Sequence, residues 1–253
     1  MASAIAAQLY TLREFTKTPA DIATTLRRVK KLGYDAVQLS ALGKIDAKEL
    51  AAILRGEGLT CCATHESIDR MRDETAKVVE ELGLWGCNHT AIGGFFPKNP
   101  QAKDWPEFAA KFSAVAEKFK GSGIGVGYHN HSHEFVRYDG KPAMEILLEK
   151  LSKEIWFEFD TYWIQHGGGD PAAWIRRVKG RIPCVHFKDM AMGSDGKQQM
   201  AEIGEGNLNW PGIIGACREA GVKWFIVEQD ICQRDPFESL GISLRNLKAM
   251  GVE

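Results

Sequence analysis

Eight times along this chain a short apolar run gives way to a polar loop, then to a segment with apolar residues at helical spacing, often closed by a glycine. The runs are residues 4–10, 35–39, 59–64, 87–92, 123–129, 155–159, 182–187 and 224–227. The spacing predicts helices over about 19–32, 46–55, 142–151 and 210–220, and one opened by the pair Asp170-Pro171, an N-cap followed by an N1 proline. Three more are read from stripes: Met71, Thr75, Val78 and Leu82, closed by Gly83; Phe108, Phe112, Val115 and Phe119; and Phe237, Leu240, Leu244 and Leu247. Eight strand-then-helix units of about 30 residues each predict a (β/α)₈ TIM barrel, an α/β fold, as one domain over residues 1–253. A doubly wound sheet would carry a G-x-G-x-x-G turn after its first strand, and none is there. The series Gly123-Ile124-Gly125-Val126-Gly127 enters a strand instead of opening a helix.

Composition narrows the partners. A net charge of −1 with both signs interspersed leaves no basic face for phosphates, so nucleic acid is not an expected partner. The six cysteines form no C-x-x-C pair and several sit in apolar runs, as buried thiols of a reducing compartment do. The first residues lack a basic segment ahead of a long apolar one, and no later run approaches a membrane span. A cytoplasmic protein with no membrane partner is expected; a homo-oligomer or a partner subunit stays open.

The chemistry-bearing residues gather at strand ends, where a barrel of this kind places its site. Tyr128-His129-Asn130-His131-Ser132-His133-Glu134-Phe135 holds three of the seven histidines. Strand alternation would turn His129 and His131 to one face. Asp160, His186 and Glu228 end the sixth, seventh and eighth runs, and His65-Glu66 the third. Imidazole and carboxylate together suit Mn²⁺, Mg²⁺, Co²⁺ or Zn²⁺. The plain alternative, satisfied polar residues at a rim, serves for one such residue but less well for three on consecutive strands.

Gln8-Leu9-Tyr10, the His-Asn-His series before Glu134-Phe135, Phe159-Asp160-Thr161, His186-Phe187-Lys188-Asp189, Glu205-Gly206 and Val227-Glu228 together resemble the sugar phosphate isomerase/epimerase superfamily of xylose isomerase-like barrels, across nearly the whole chain. The resemblance implies a divalent metal, Mn²⁺ foremost, held by an acid from strand five, an Asp from six, a His from seven and a Glu from eight. Asp160, His186 and Glu228 match. On strand five the epimerases' glutamate would fall at Gly127, which cannot ligate; the resemblance to the branches with His-Asn-His implies the downstream Glu134 as the fourth ligand, with His131 the fallback.

That departure weakens epimerisation, in which two metal-bound glutamates serve opposite faces of a sugar. It favours proton abstraction beside a carbonyl followed by elimination or hydration, as in the inosose dehydratases and the lyases of 3-keto-glycosides that the sequence resembles. His131, Lys188 and His129 are the expected acid/base groups, Lys188 with a pKa lowered by a cationic neighbour. His65, Trp163, His166, Glu205, Trp210 and Gln229 are expected contacts to a sugar or keto-sugar; Asn209-Trp210-Pro211 reads equally well as a capped helix entry. A ketose epimerase or isomerase using the same metal, and a non-catalytic subunit of a two-chain glycoside-cleaving assembly, are the alternatives. An apurinic endonuclease would need a basic DNA footprint that the charge does not supply.

Overall fold

The computed structural model describes residues 4–252. Eight parallel strands close into a barrel: β1 (Ala4–Gln8), β2 (Ala36–Leu39), β3 (Thr60–His65), β4 (His89–Ile92), β5 (Gly125–His129), β6 (Trp156–Asp160), β7 (Cys184–Phe187) and β8 (Trp224–Val227). Each strand pairs with its sequence neighbours, and β1 with β8 completes the ring. Helices follow every strand: α1 (Pro19–Leu32), α2 (Ala47–Glu57), α3 (Ile68–Asp73), α4 (Thr75–Leu84), α5 (Asp104–Glu117), α6 (Ala143–Lys150), α7 (Thr161–His166), α8 (Pro171–Arg177), α9 (Trp210–Ala220) and α10 (Pro236–Ala249). No helix among the described residues is long and apolar enough to cross a membrane.

The helix starts are legible in local chemistry. Thr18 and Asp21 form a capping box around Pro19, and Asp170 accepts from the N–H groups of Ala172 and Ala173. Other expectations need correction. The Met71–Leu82 stripe is two helices, broken at Glu74 (φ −120°, ψ 31°), where the Thr75 hydroxyl bonds back to the Met71 carbonyl at 2.6 Å. Met71, Val78 and Leu82 stay buried, so the stripe is right and its continuity is not. Gly83 lies inside α4, and the left-handed residue is Gly86 (φ 64°). Phe119 is buried but lies beyond the end of α5. The long loop after β7 carries an antiparallel hairpin, Asp189–Met192 with Gln198–Ala201.

Strand alternation divides the core. Outward residues such as Ile5, Val37, Val126, Phe157, Phe159, Val185 and Phe225 pack under the helices. Inside, Ala6, Ala36, Cys62, Ala91, Cys184 and Ile226 surround one large side chain, Trp156. Branched aliphatics usually fill such interiors; here small residues make room for a single indole. Gly127 lies opposite Trp156 in register, and a Cβ there would stand 2.4 Å from the ring; one at Gly125 would stand 3.2 Å away. The glycines of β5 are therefore demanded by the tryptophan that floors the barrel.

Gly127→Ala should cost about 1–3 kcal/mol by overpacking, read as a shift of the urea midpoint, and a simultaneous Trp156→Leu change should recover part of the loss. Full stability of the single variant would mean that the ring is not held as described.

Candidate functional site

Above the Trp156 floor the inward positions become polar. Alternation along β6 points Glu158 and Asp160 inward, β7 contributes His186 with Lys188 just beyond it, β5 ends on His129, and Glu228 follows β8; all are buried. Register sets His129 opposite Glu158 and Asp160 opposite His186. His186 Nδ1 lies 2.8 Å from Glu228 Oε2 and 3.8 Å from Asp160 Oδ2, while its Nε2 lies 2.6 Å from Gln38 Oε1 and 3.4 Å from Glu158 Oε2. Gln38 donates to Glu158 Oε1 at 2.9 Å, and His65 Nε2 sits 2.5 Å from Glu158 Oε2. Lys188 Nζ stands 2.9, 2.8 and 3.0 Å from carboxylate oxygens of Asp160, Glu228 and Asp230.

These neighbours set the protonation states. Burial opposes the His186 imidazolium, but Glu158 and Glu228 outweigh it and push the pKa up to about 10. Burial likewise opposes the Lys188 ammonium, and Asp160, Glu228 and Asp230 together hold its pKa well above the ordinary value. The expected lowering of the Lys188 pKa is thus reversed, because three carboxylates surround it. Burial raises the Glu228 carboxyl, yet Lys188 and His186 bring it well below the usual range. Burial and then Glu228 lift Asp230 to about 6. Burial, reinforced by Lys188, lowers His131 to about 3, so its imidazole is neutral at pH 7.

Two groups of donors each fall within 4.8 Å of one another: His129, Asp160, His186 and Glu228, and His65, His129, Glu158 and His186. In the first, Asp160 Oδ2, His186 Nδ1 and Glu228 Oε2 are buried and make no well-formed hydrogen bond, although Lys188 lies at ion-pair distance from both oxygens. Asp160 uses its other oxygen to cap α7 through the Trp163 N–H at 3.0 Å. Buried donors that converge without hydrogen bonds are what a divalent ion satisfies, and a mixed imidazole–carboxylate set suits one of borderline softness. The described residues fit a metal.

Glu134 does not join either group. It accepts from the Tyr128 hydroxyl at 2.7 Å and from the His131 N–H at 2.9 Å. Tyr128 alternates with His129 and points away from the barrel interior, so the carboxylate it holds lies outside the wall. The strand-five donor grouped with Asp160, His186 and Glu228 is His129 itself, expected above as an acid/base group. His131 lies beyond the end of β5 but returns to the mouth, its ring 4.9 Å from that of His129. A cavity of about 520 Å³ opens over the cluster, walled by His65, His131, Trp163, Lys188, Glu228 and Asp230 among others. Lys188 is the one Lys or Arg among its described lining residues.

The remaining expected contacts fall elsewhere. His166 is exposed at the end of α7, stacked on Tyr162. Glu205 is exposed and pairs with Arg234 at 3.2 Å. Gln229 is buried and donates to the Ile231 carbonyl. Trp210 is buried, and its indole N–H donates to Asp189 at 2.6 Å, while Asn209 caps α9. Asp189 also accepts from the N–H groups of Met190, Gly204, Gly206 and Leu208. A Cβ at Gly206 would lie 2.4 Å from Asp189, so Glu205-Gly206 marks a backbone approach and not a sugar contact. Glu158 and Gln38 went unassigned in the sequence. Glu158 was recoverable, because it stands two residues before Asp160 on one strand and must share its face; Gln38, inside an apolar run, gave no such signal.

Comparisons with known proteins agree with this architecture. The profile of a family described as xylose isomerase-like TIM barrel matches residues 26–250. The chain is 25% identical over 201 residues to the rhizopine catabolism protein MocC of Rhizobium meliloti, covering 72% of this chain and 61% of that protein. It is 24% identical over 152 residues to an inosose dehydratase of Lacticaseibacillus casei, covering 53% of this chain and 51% of that protein. The chain thus spans between about half and three-fifths of these curated relatives. The crystal structure of a sugar phosphate isomerase/epimerase from Parabacteroides distasonis superposes with a TM-score of 0.81 at 23% identity, over 100% of this chain and 96% of that one, which is a likeness of fold.

Asp189→Ala would strand several donors in a partly buried loop. It should lower stability by more than about 3 kcal/mol and speed amide exchange over residues 190–209. Exchange unchanged in that loop would remove Asp189 as its organiser.

Proposed function

Because the chain belongs to the xylose isomerase-like TIM barrel family, we propose that it is a divalent-metal-dependent enzyme acting on a keto-sugar, by proton abstraction beside the carbonyl followed by elimination or hydration. The observation that carries this reading is the convergence of Asp160 Oδ2, His186 Nδ1 and Glu228 Oε2, buried together beneath a cavity that Lys188 and Glu228 line. His129, Asp160, His186 and Glu228 would hold the ion, with Mn²⁺ foremost and Co²⁺, Zn²⁺ or Mg²⁺ as alternatives. Such an ion, when bound, supplies Lewis acidity that stabilises negative charge on the carbonyl oxygen. Gln38 accepts from His186 Nε2–H, which leaves Nδ1 as the free donor.

The other residues move protons and place the sugar. His131, whose buried Nδ1 has no hydrogen-bond partner, takes the proton from the carbon beside the ketone. The electron pair becomes a carbon–carbon double bond, the bond to the β-substituent breaks, and the departing oxygen receives a proton from Lys188. Were Asp160 and Glu228 to hold the ion, Lys188 would be left with Asp230 as its counter-charge, which would favour release of its proton. Trp163 offers an aromatic face beside Lys188 and His131 to the C–H groups of a pyranose. With Lys188 ion-paired, no free Lys or Arg lines the described cavity for a phosphate, which favours an unphosphorylated sugar. The relative named inosose dehydratase supports a dehydration-type reaction. Gly127 supports it too, since Trp156 leaves no room there for a second glutamate.

Asp160→Ala should abolish tight metal binding and Glu134→Gln should retain it, measured by elemental analysis after dialysis against a weak chelator. Undiminished metal in Asp160→Ala would remove it from the ligand set. For the reaction, His131→Ala and Lys188→Ala should each slow turnover by about 10²–10⁴-fold with metal still bound. Screened by NMR in D₂O against 3-keto-glucosides and inosose, the enzyme should remove a β-substituent from at least one of them. Exchange of one C–H with inversion and no loss would return the enzyme to the epimerases.

A further inference from the structure

A second cavity of about 440 Å³ adjoins the first, and the two share Ser40, His65 and Glu66 as a common wall. It lies between the loop after β2, the start of α2 and the α3–α4 pair. One side is carbon: Leu42, Ile45 and Trp85. Trp85 gives its indole N–H to the Ala47 carbonyl at 3.0 Å, so what it offers the cavity is ring surface. The other side is an ion network in which Arg70 pairs with Glu66 at 2.7 Å and with Glu81. Glu66 and Glu81 share this guanidinium, with Glu74 farther off at 3.9 Å, which leaves acceptor lone pairs for hydroxyl donors. The wall is built in place. The Gly43 N–H donates to the Thr16 carbonyl at 2.7 Å, and a Cβ at Gly43 would collide with the Lys17 carbonyl, so the loop is seated against the backbone of the segment before α1.

An aromatic surface facing carboxylates and a guanidinium is matched by a pyranose ring, whose C–H faces stack and whose equatorial hydroxyls donate. Each cavity is ring-sized, near the lower end of the roughly 300–1,000 Å³ usual for small-molecule sites. We propose that the second cavity is a subsite for a second sugar ring, so that the substrate is a disaccharide-like glycoside spanning both cavities across His65 and Glu66, and not a single-ring cyclitol. This deepens the keto-sugar reading and rests on it for the orientation: the ring in the second cavity is the group that departs.

The test measures binding, not turnover. Unoxidised disaccharides (cellobiose and maltose) and methyl β-glucoside, none of which carries the ketone, are titrated into the metal-loaded protein by calorimetry or saturation-transfer NMR. At least one disaccharide should bind about ten-fold tighter than the methyl glycoside, the scale of one well-placed aromatic contact. Trp85→Ala should erase that preference, and Glu81→Gln, which keeps size and removes a charge, should reduce it. The preference would survive even if the chemistry proved to be epimerisation, so the subsite and the reaction fail separately. No preference in the wild-type protein, a preference untouched by both variants, or equal gain from octyl glucoside, which marks a merely apolar groove, would each overturn the proposal.

Discussion

The buried charge at the top of the barrel is the constraint to which the rest of the site answers. Glu158, Asp160, Glu228 and Asp230 face Lys188 and the His186 imidazolium, two more carboxylates than cations, with their polar atoms 2.8–3.8 Å apart where they pair. Charges out of water persist only when compensated, and removing one partner of such a set is strongly destabilising. The arrangement exists because barrel closure brings strands from across the sequence together: Gln38 meets His186, and His65 meets Glu158. A surplus of negative charge beside converging buried donors is also the electrostatic condition that draws in a divalent cation.

Beneath this layer the Trp156 indole seals the barrel, with glycines and alanines on the neighbouring strands giving it space. The same residue accounts for the missing side chain at Gly127. What reads in the sequence as a catalytic departure is first a packing requirement, and the polar layer can sit no lower than the ring permits. His129, one step above Gly127 on the same face, is then the first position on β5 from which a donor can reach Asp160, His186 and Glu228.

The loops divide between scaffold and contact. Asp189, adjacent to Lys188, gathers backbone donors from residues 190–208 together with the Trp210 indole, and so fixes the segment after β7 without touching the cavity. Glu134 does the same for the turn after β5: by accepting from Tyr128 and from the His131 N–H, it folds the His-rich stretch so that His131 returns to the mouth. Both acids lie in motifs that suggest ligands or substrate contacts, and both are anchors. The proteins this chain is similar to are named as an inosose dehydratase and a sugar phosphate isomerase/epimerase, and one fold can host many chemistries through its loops.

The eight-unit repeat was legible in the sequence because apolar periodicity and caps are local properties: Asp170-Pro171 and the Phe108-Phe112-Val115 stripe each announce their element. Asp160, His186 and Glu228 were legible as well, since each ends an apolar run and barrel closure is implied by the repeat. The sequence did not decide which face Glu134 would serve, because a three-residue helical turn after β5 reverses the strand's alternation. Nor could it reveal that Lys188 is held by three carboxylates, that Gly127 answers to Trp156, or that Trp210 answers to Asp189. Those relations join residues on different strands and loops, and their distances exist only once the barrel has closed.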